Sequence, residues 1–149
     1  MRKIKKFDTD EFVATFCGIG RYSKMPGTIA SAAALLIAVL LHPIHWAEIL
    51  AIIVIGTWYS DRYSRKKGIK DPPEVVIDEV AGMWISMYSL PIGYGIPALV
   101  LFRLVDILKP FPVYLAEKLP GGIGIMADDI VGGAMVWLLL YAIKTYFVM

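Results

Sequence analysis

Apolar residues gather in five stretches, at 28–41, 46–60, 80–92, 94–108 and 129–148, parted by short polar or glycine- and proline-bearing connections. Several are shorter than the ~20 residues that cross a typical bilayer, so some must extend into flanking sequence, tilt, or enter only part way. Helices are the predicted elements, because an open strand edge finds no hydrogen-bond partner in lipid. The expected fold class is all-α: a compact integral-membrane bundle of about four to five membrane-embedded helices, with short interfacial helices such as "VYLAEKL". No low-complexity tract or long linker interrupts the pattern, so 1–149 reads as a single domain.

Composition explains why lipid is the expected solvent. The 149 residues are 58% hydrophobic and only 19% charged, more apolar surface than so small a soluble fold can hide. A net charge of +2 with no basic stripe speaks against nucleic acid as a partner. Cys17 is the only cysteine, which excludes an intramolecular disulfide and a cysteine metal site. The start, "MRKIKKFDTDEF", is basic but turns acidic where a signal peptide needs its apolar core. An uncleaved, cytoplasmic N-terminus is expected.

Lysine and arginine then orient the stretches. Arg2, Lys3, Lys5 and Lys6 precede the first, with Arg21 and Lys24 close behind; "DRYSRKKGIK" follows the second, and "KPFPVYLAEK" the fourth. The intervening turns "LHPIHW" and "LPIGYG" carry neither residue; Lys144 is the one dissent. Basic and uncharged connections alternate as five cytoplasm-first passages require. Asp78 and Glu79 then open the third passage, Asp128 and Asp129 the fifth, and Arg103, Asp106 and Lys109 close the fourth. All seven charges are predicted to meet at one membrane face.

"DEVAG" and "DDIVG" share a design: two acids, two apolar residues, and a glycine one turn after the first acid. Neighbouring helical residues point about 100° apart, so at most one acid of each pair can cap its own helix. Capping plus small-residue packing is the plain reading of either pair alone; two pairs at one face favour chemistry. The plain reading of "FRLVDILKPFP" is an Arg103–Asp106 ion pair within a helix that Pro110 and Pro112 end. Five carboxylates against two cations repel unless protons or a cation relieve them. Clustered carboxylates without histidine or cysteine suit Mg²⁺, which recruits phosphate oxygens. Metal-assisted phosphate chemistry on a phosphorylated lipid is the expected activity.

"CGIGRYSKMPGTIAS" offers an anion site: Gly18 and Gly20 free the backbone, Pro26 suits a first helical turn, and Gly27 and Thr28 present N–H groups and a hydroxyl at a positive helix end. Arg21 and Lys24 read as positive-inside flanks. No P-loop spacing is present. Residue 23, where a cysteine phosphatase loop starting at Cys17 needs arginine, is serine, and "DTDEF" lacks the apolar strand of an aspartyl-phosphate motif. His42 and His45 fall in an outer turn, away from the acids.

"GIGRYSKMPGTIAS", "DPPEVVIDEVAGMW", "FRLVDILKPFPV" and "GGIGIMADDIVGG" resemble, in order, the motifs of phosphatidylglycerophosphatase A, over about residues 17 to 135. The resemblance implies a Mg²⁺-dependent phosphatase of the bacterial inner membrane that converts phosphatidylglycerophosphate to phosphatidylglycerol. The family's motifs fall on Asp78, Glu79 and Gly82, on Arg103, Asp106, Lys109 and Pro110, on Asp128 and Asp129, and on Gly18, Gly20, Pro26, Gly27 and Thr28. Ala30 and Ser31 stand where the family often has glycine and serine.

The resulting expectation is that Asp78, Glu79, Asp128 and Asp129 hold Mg²⁺ while Arg103 and Lys109 clamp phosphate oxygens. Gly27 and Thr28 would add donors. Water activated by the metal or one of the carboxylates would attack, and Asp106 would orient Arg103 or act as a base. The rival class is a small transporter or channel with an intramembrane acidic ion site. No continuous polar path crosses the five stretches. A structural subunit would not need two costly acidic pairs, and the spaced aspartate signature of lipid phosphotransferases is absent.

Overall fold

The computed structural model describes residues 8–147; Arg2, Lys3, Lys5 and Lys6 lie outside them. The described residues form eight α-helices and no strand. α1 (Thr9–Ala14) and α2 (Ile19–Tyr22) are short; α3 (Pro26–Leu40), α4 (Trp46–Lys67) and α5 (Ile77–Met87) follow. A 3₁₀ turn (Ile92–Tyr94) leads into α6 (Gly95–Leu108), then come the single turn α7 (Val113–Ala116) and the long α8 (Gly121–Phe147).

Each apolar stretch becomes a helix, with lengths that alter the expected picture. α8 is the one described helix long and apolar enough to cross a membrane. α4 has 22 residues, but its last two turns carry Asp61, Arg62, Arg65, Lys66 and Lys67. α5 has 11 residues, about 16 Å at ~1.5 Å per residue, roughly half a hydrocarbon core. It ends at Met87, and Ser89 just beyond takes a positive φ of 59° before Pro91.

α5 is instead the core of the bundle, buried on nearly every side. Val80 and Met83 of α5 pack with Phe102 of α6 and Met126 and Val136 of α8, all at most 2% exposed. Burying a side chain the size of Phe102 stabilises by about 1.5–3 kcal/mol. Polar atoms inside are tied to backbone: Trp84 Nε1 donates to the Ala34 carbonyl at 3.0 Å, and Ser86 Oγ to the Gly82 carbonyl at 2.9 Å.

α5 and α8 cross at Gly82 and Gly133. A Cβ on Gly133 would stand 2.4 Å from the Gly82 carbonyl oxygen, and one on Gly82 would meet the Phe102 ring at 2.5 Å and the Asp129 carbonyl oxygen at 2.7 Å. Backbones approach this closely only where side chains are missing. The helices alternate in direction, so the start of α3, the end of α4, the start of α5, the end of α6 and the start of α8 share one end of the bundle. His42, whose ring nitrogen lies 3.2 Å from the Leu90 carbonyl, and Lys144, which donates to the Ser89 carbonyl at 3.3 Å, mark the other end.

Candidate active site

The seven charged residues expected to meet do meet, though α8 brings its pair there differently. α8 begins at Gly121, so Asp128 and Asp129 lie two turns inside the helix and do not open it. Capping is therefore no explanation for this pair. The glycines before them make the extra turns possible, since a Cβ on Gly122 would sit 2.2 Å from the Thr57 carbonyl oxygen of α4. An acceptor from α4 serves the start of α8 instead: the Gly122 N–H donates to Asp61 Oδ1 at 3.0 Å. Asp78 and Glu79 occupy the first turn of α5 and make no side-chain cap either. Their negative charge suits that positive helix end.

α6 adds the rest from its last turns. Arg103 Nη1 pairs with Asp106 and stands 3.8 Å from Glu79 Oε1. Lys109, in a left-handed conformation at the end of α6 (φ 44°), holds Asp128 at 2.5 Å and lies 3.9 Å from Asp106. Burial opposes the Lys109 charge, but Asp128, Asp106 and Glu117 outweigh it and hold the proton more tightly than in free lysine.

Two acidic triads result. Asp78, Glu79 and Asp129 form one, and Asp106, Asp128 and Asp129 the other; in each, ligand oxygens lie within 4.8 Å of one another. Asp128 thus groups with Asp106, away from the expected company of Asp78 and Glu79. Asp129 is 1% exposed. Both its carboxylate oxygens, with Asp78 Oδ1 and Glu79 Oε2, are buried without a hydrogen-bond partner. A buried carboxylate without a donor costs several kcal/mol, and hard oxygen atoms converging without nitrogen or sulfur are what a small divalent cation takes as ligands. The residues fit such an ion. Arg103 Nε is a buried donor without an acceptor, a group that suits an anion's oxygen.

Gly27 is part of the enclosure. A Cβ there would meet Glu79 Oε1 at 2.5 Å and both Arg103 terminal nitrogens at 2.9 Å. Thr28 follows it, half-buried, in the first turn of α3, where Pro26 is the first helical residue as its φ favours. Ser31 Oγ donates to the Gly27 carbonyl at 2.8 Å, holding that turn. The remaining loop residues serve packing: Gly18 takes a φ of 88°, and a Cβ on Gly20 would lie 1.9 Å from the Glu74 carbonyl oxygen. Arg21 pairs with Glu11 of α1. His42 and His45 lie at the opposite end of α3.

Two acids escaped the sequence reading. Glu117 stands 3.8 Å from Lys109. Asp71, in the loop before α5, has its pKa raised first by partial desolvation and then by the negative Asp128. Neither carried a signal, because loop residues have no periodicity to place them. An apolar groove of about 1020 Å³ between α4 and the start of α8, lined by Val54, Trp58, Arg62, Arg65 and Ile123, contains none of the seven charges.

An all-helical bundle that gathers buried carboxylates, two cations and an orphaned guanidinium nitrogen at one end defines the class: a helical protein with a polar site of the kind a phosphatase needs. Comparison with known sequences narrows this class: the family model for phosphatidylglycerophosphatase A matches residues 12–144, and the chain belongs to that family. Its relatives include the phosphatidylglycerophosphatase A of Haemophilus influenzae, 30% identical over 97% of this chain and 94% of the relative. That of Escherichia coli is 31% identical over 95% and 87%. A Bacteroides thetaiotaomicron relative, provisionally named a phosphatidylinositol-3-phosphatase, is 30% identical over 86% and 89%. No solved structure matches.

Proposed function

We propose that this chain is a Mg²⁺-dependent lipid phosphatase that hydrolyses phosphatidylglycerophosphate to phosphatidylglycerol and phosphate. It works embedded in the bacterial inner membrane, with its site at the cytoplasmic face. The observation that carries the reading is Asp129, buried to 1% with both oxygens unpartnered, between a second acid pair and two cations. Membrane embedding is supported by the large apolar side chains left exposed on α3, α4, α6 and α8, among them Leu36, Val54, Trp58, Val100, Ile107 and Leu138.

Asp78, Glu79 and Asp129 would hold the magnesium ion, with Asp128 beside them. A bound magnesium ion supplies Lewis-acid polarisation of the ester and a more acidic water. Arg103 presents its planar fork and its orphaned Nε to the phosphate oxygens; Lys109 adds a point charge. Asp106 fixes the Arg103 guanidinium. Water attacks phosphorus, the bond to the glycerol oxygen breaks, and the proton that the water gives up passes to that leaving oxygen. Gly27 keeps the start of α3 slim enough for Glu79 and Arg103 to stand together.

The test is phosphate release by the purified full-length protein in detergent micelles containing phosphatidylglycerophosphate, with Mg²⁺ and with excess chelator. Release that chelator abolishes and Mg²⁺ restores is the expected result; equal release in both arms overturns the metal dependence. The name of the Bacteroides relative makes phosphatidylinositol 3-phosphate the proper competing substrate, and faster turnover of it would overturn the assigned lipid. The transporter reading is not favoured, because the charged cluster sits at one end of the bundle.

A further inference from the structure

We infer that the site is built for two divalent cations sharing Asp129, the first held with Asp78 and Glu79, the second with Asp106 and Asp128. This rests on the metal-dependent reading above and adds a second ion to it.

Three observations carry the inference. Both triads are drawn together to within 4.8 Å, and Asp129 belongs to each. Asp129 has two unpartnered oxygens at 1% exposure, as many as two ions sharing it would take. Charge supplies the third. Asp78, Glu79, Asp106, Asp128 and Asp129 against Arg103 and Lys109 leave three excess negatives. Glu117 beside Lys109 and Asp71 beside Asp128 add to that excess, so one divalent ion leaves the cavity strongly negative before an anionic phosphate arrives, whereas two remove most of the excess.

The adjacent aspartates gain separate tasks on this reading. Residues about 100° apart on one helix face different neighbours: Asp129 reaches both triads, while Asp128 faces Lys109 and Asp106. Arg103 and Lys109 now neutralise Asp106 and Asp128. An ion held by the second triad would compete with Arg103 and Lys109 for Asp106 and Asp128, leaving more of both cations' charge for the phosphate. The second ion would therefore be the weaker of the two.

Mn²⁺ replaces Mg²⁺ in the test, with binding to the full chain in detergent measured by equilibrium dialysis and electron paramagnetic resonance. The expected result is two Mn²⁺ per chain at saturation with an exchange-coupled spectrum. In Asp106→Asn, helical by circular dichroism, binding falls to one uncoupled ion per chain; in Asp129→Asn the coupling is lost. Saturation of the native protein at one uncoupled ion overturns the two-ion inference and leaves the proposed function standing. Two ions without coupling overturn the Asp129 bridge. No bound Mn²⁺ at all overturns the metal-dependent reading itself.

Discussion

Glu79 and Arg103 approach within 3.8 Å beside residue 27 because that residue lacks a side chain. In Gly27→Ala the added methyl meets only the ends of two flexible side chains, so the fold survives while Glu79 and Arg103 are pushed aside. Displacements of about 1 Å cost on the order of 10²-fold in rate. Phosphate release should therefore fall roughly 10- to 100-fold with the thermal midpoint nearly unchanged; unaltered turnover would remove Gly27 from the site. Arg103→Lys keeps the charge but loses the fork and the Nε donor. Losing charge-assisted bonds of about 1.5–3 kcal/mol predicts a roughly 10- to 100-fold drop in turnover, and full activity in that variant would show a point charge suffices.

At the scale of elements, the site depends on how closely α5 and α8 cross. In Gly133→Ala the new methyl faces the Gly82 backbone carbonyl at 2.4 Å, and backbone cannot swing away as a side chain can. Overpacking of this kind costs about 1–3 kcal/mol, and separating the helices draws Asp129 from Asp78. Denaturation in micelles should show lower stability and the assay lower turnover; a variant as stable and active as the native chain would mean that the crossing tolerates a wider gap. The crossing also marks what could be read in advance. Charge parity along the chain was enough to bring Asp78, Arg103, Asp106, Lys109 and Asp129 to one end, because it needs only the direction of each helix. The start of α8 was not legible. "GGIGIM" looks like a loop, and only the Thr57 carbonyl oxygen against Gly122 and that of Leu119 against Gly124 reveal a helix packed too tightly for side chains. The shortness of α5 was hidden for a related reason, since a helix buried all round and one facing lipid are equally apolar.

For the whole molecule, the decisive fact is where greasy side chains remain uncovered. Trp46, Trp58, Leu104, Ile107, Phe111 and Tyr146 are each at least half exposed, while among the described residues the charges are mostly paired or gathered at one end. Lipid is the solvent that such a surface favours. Alkaline carbonate washing of membranes should accordingly leave the protein in the pellet; its release into the supernatant would count against embedding.

α8 also has a length that matters. Its 27 residues extend about 40 Å at ~1.5 Å per residue, roughly 10 Å more than the hydrocarbon thickness. Asp128 lies seven residues in, about 10 Å from the helix start by the same rise. If the outer end of α8 is level with the far edge of the hydrocarbon, the acids stand at the near edge, the depth at which a phospholipid carries its own phosphate. A lipid could then reach those acids by sliding sideways within its leaflet, its tails never leaving their neighbours, and depart the same way with a smaller head.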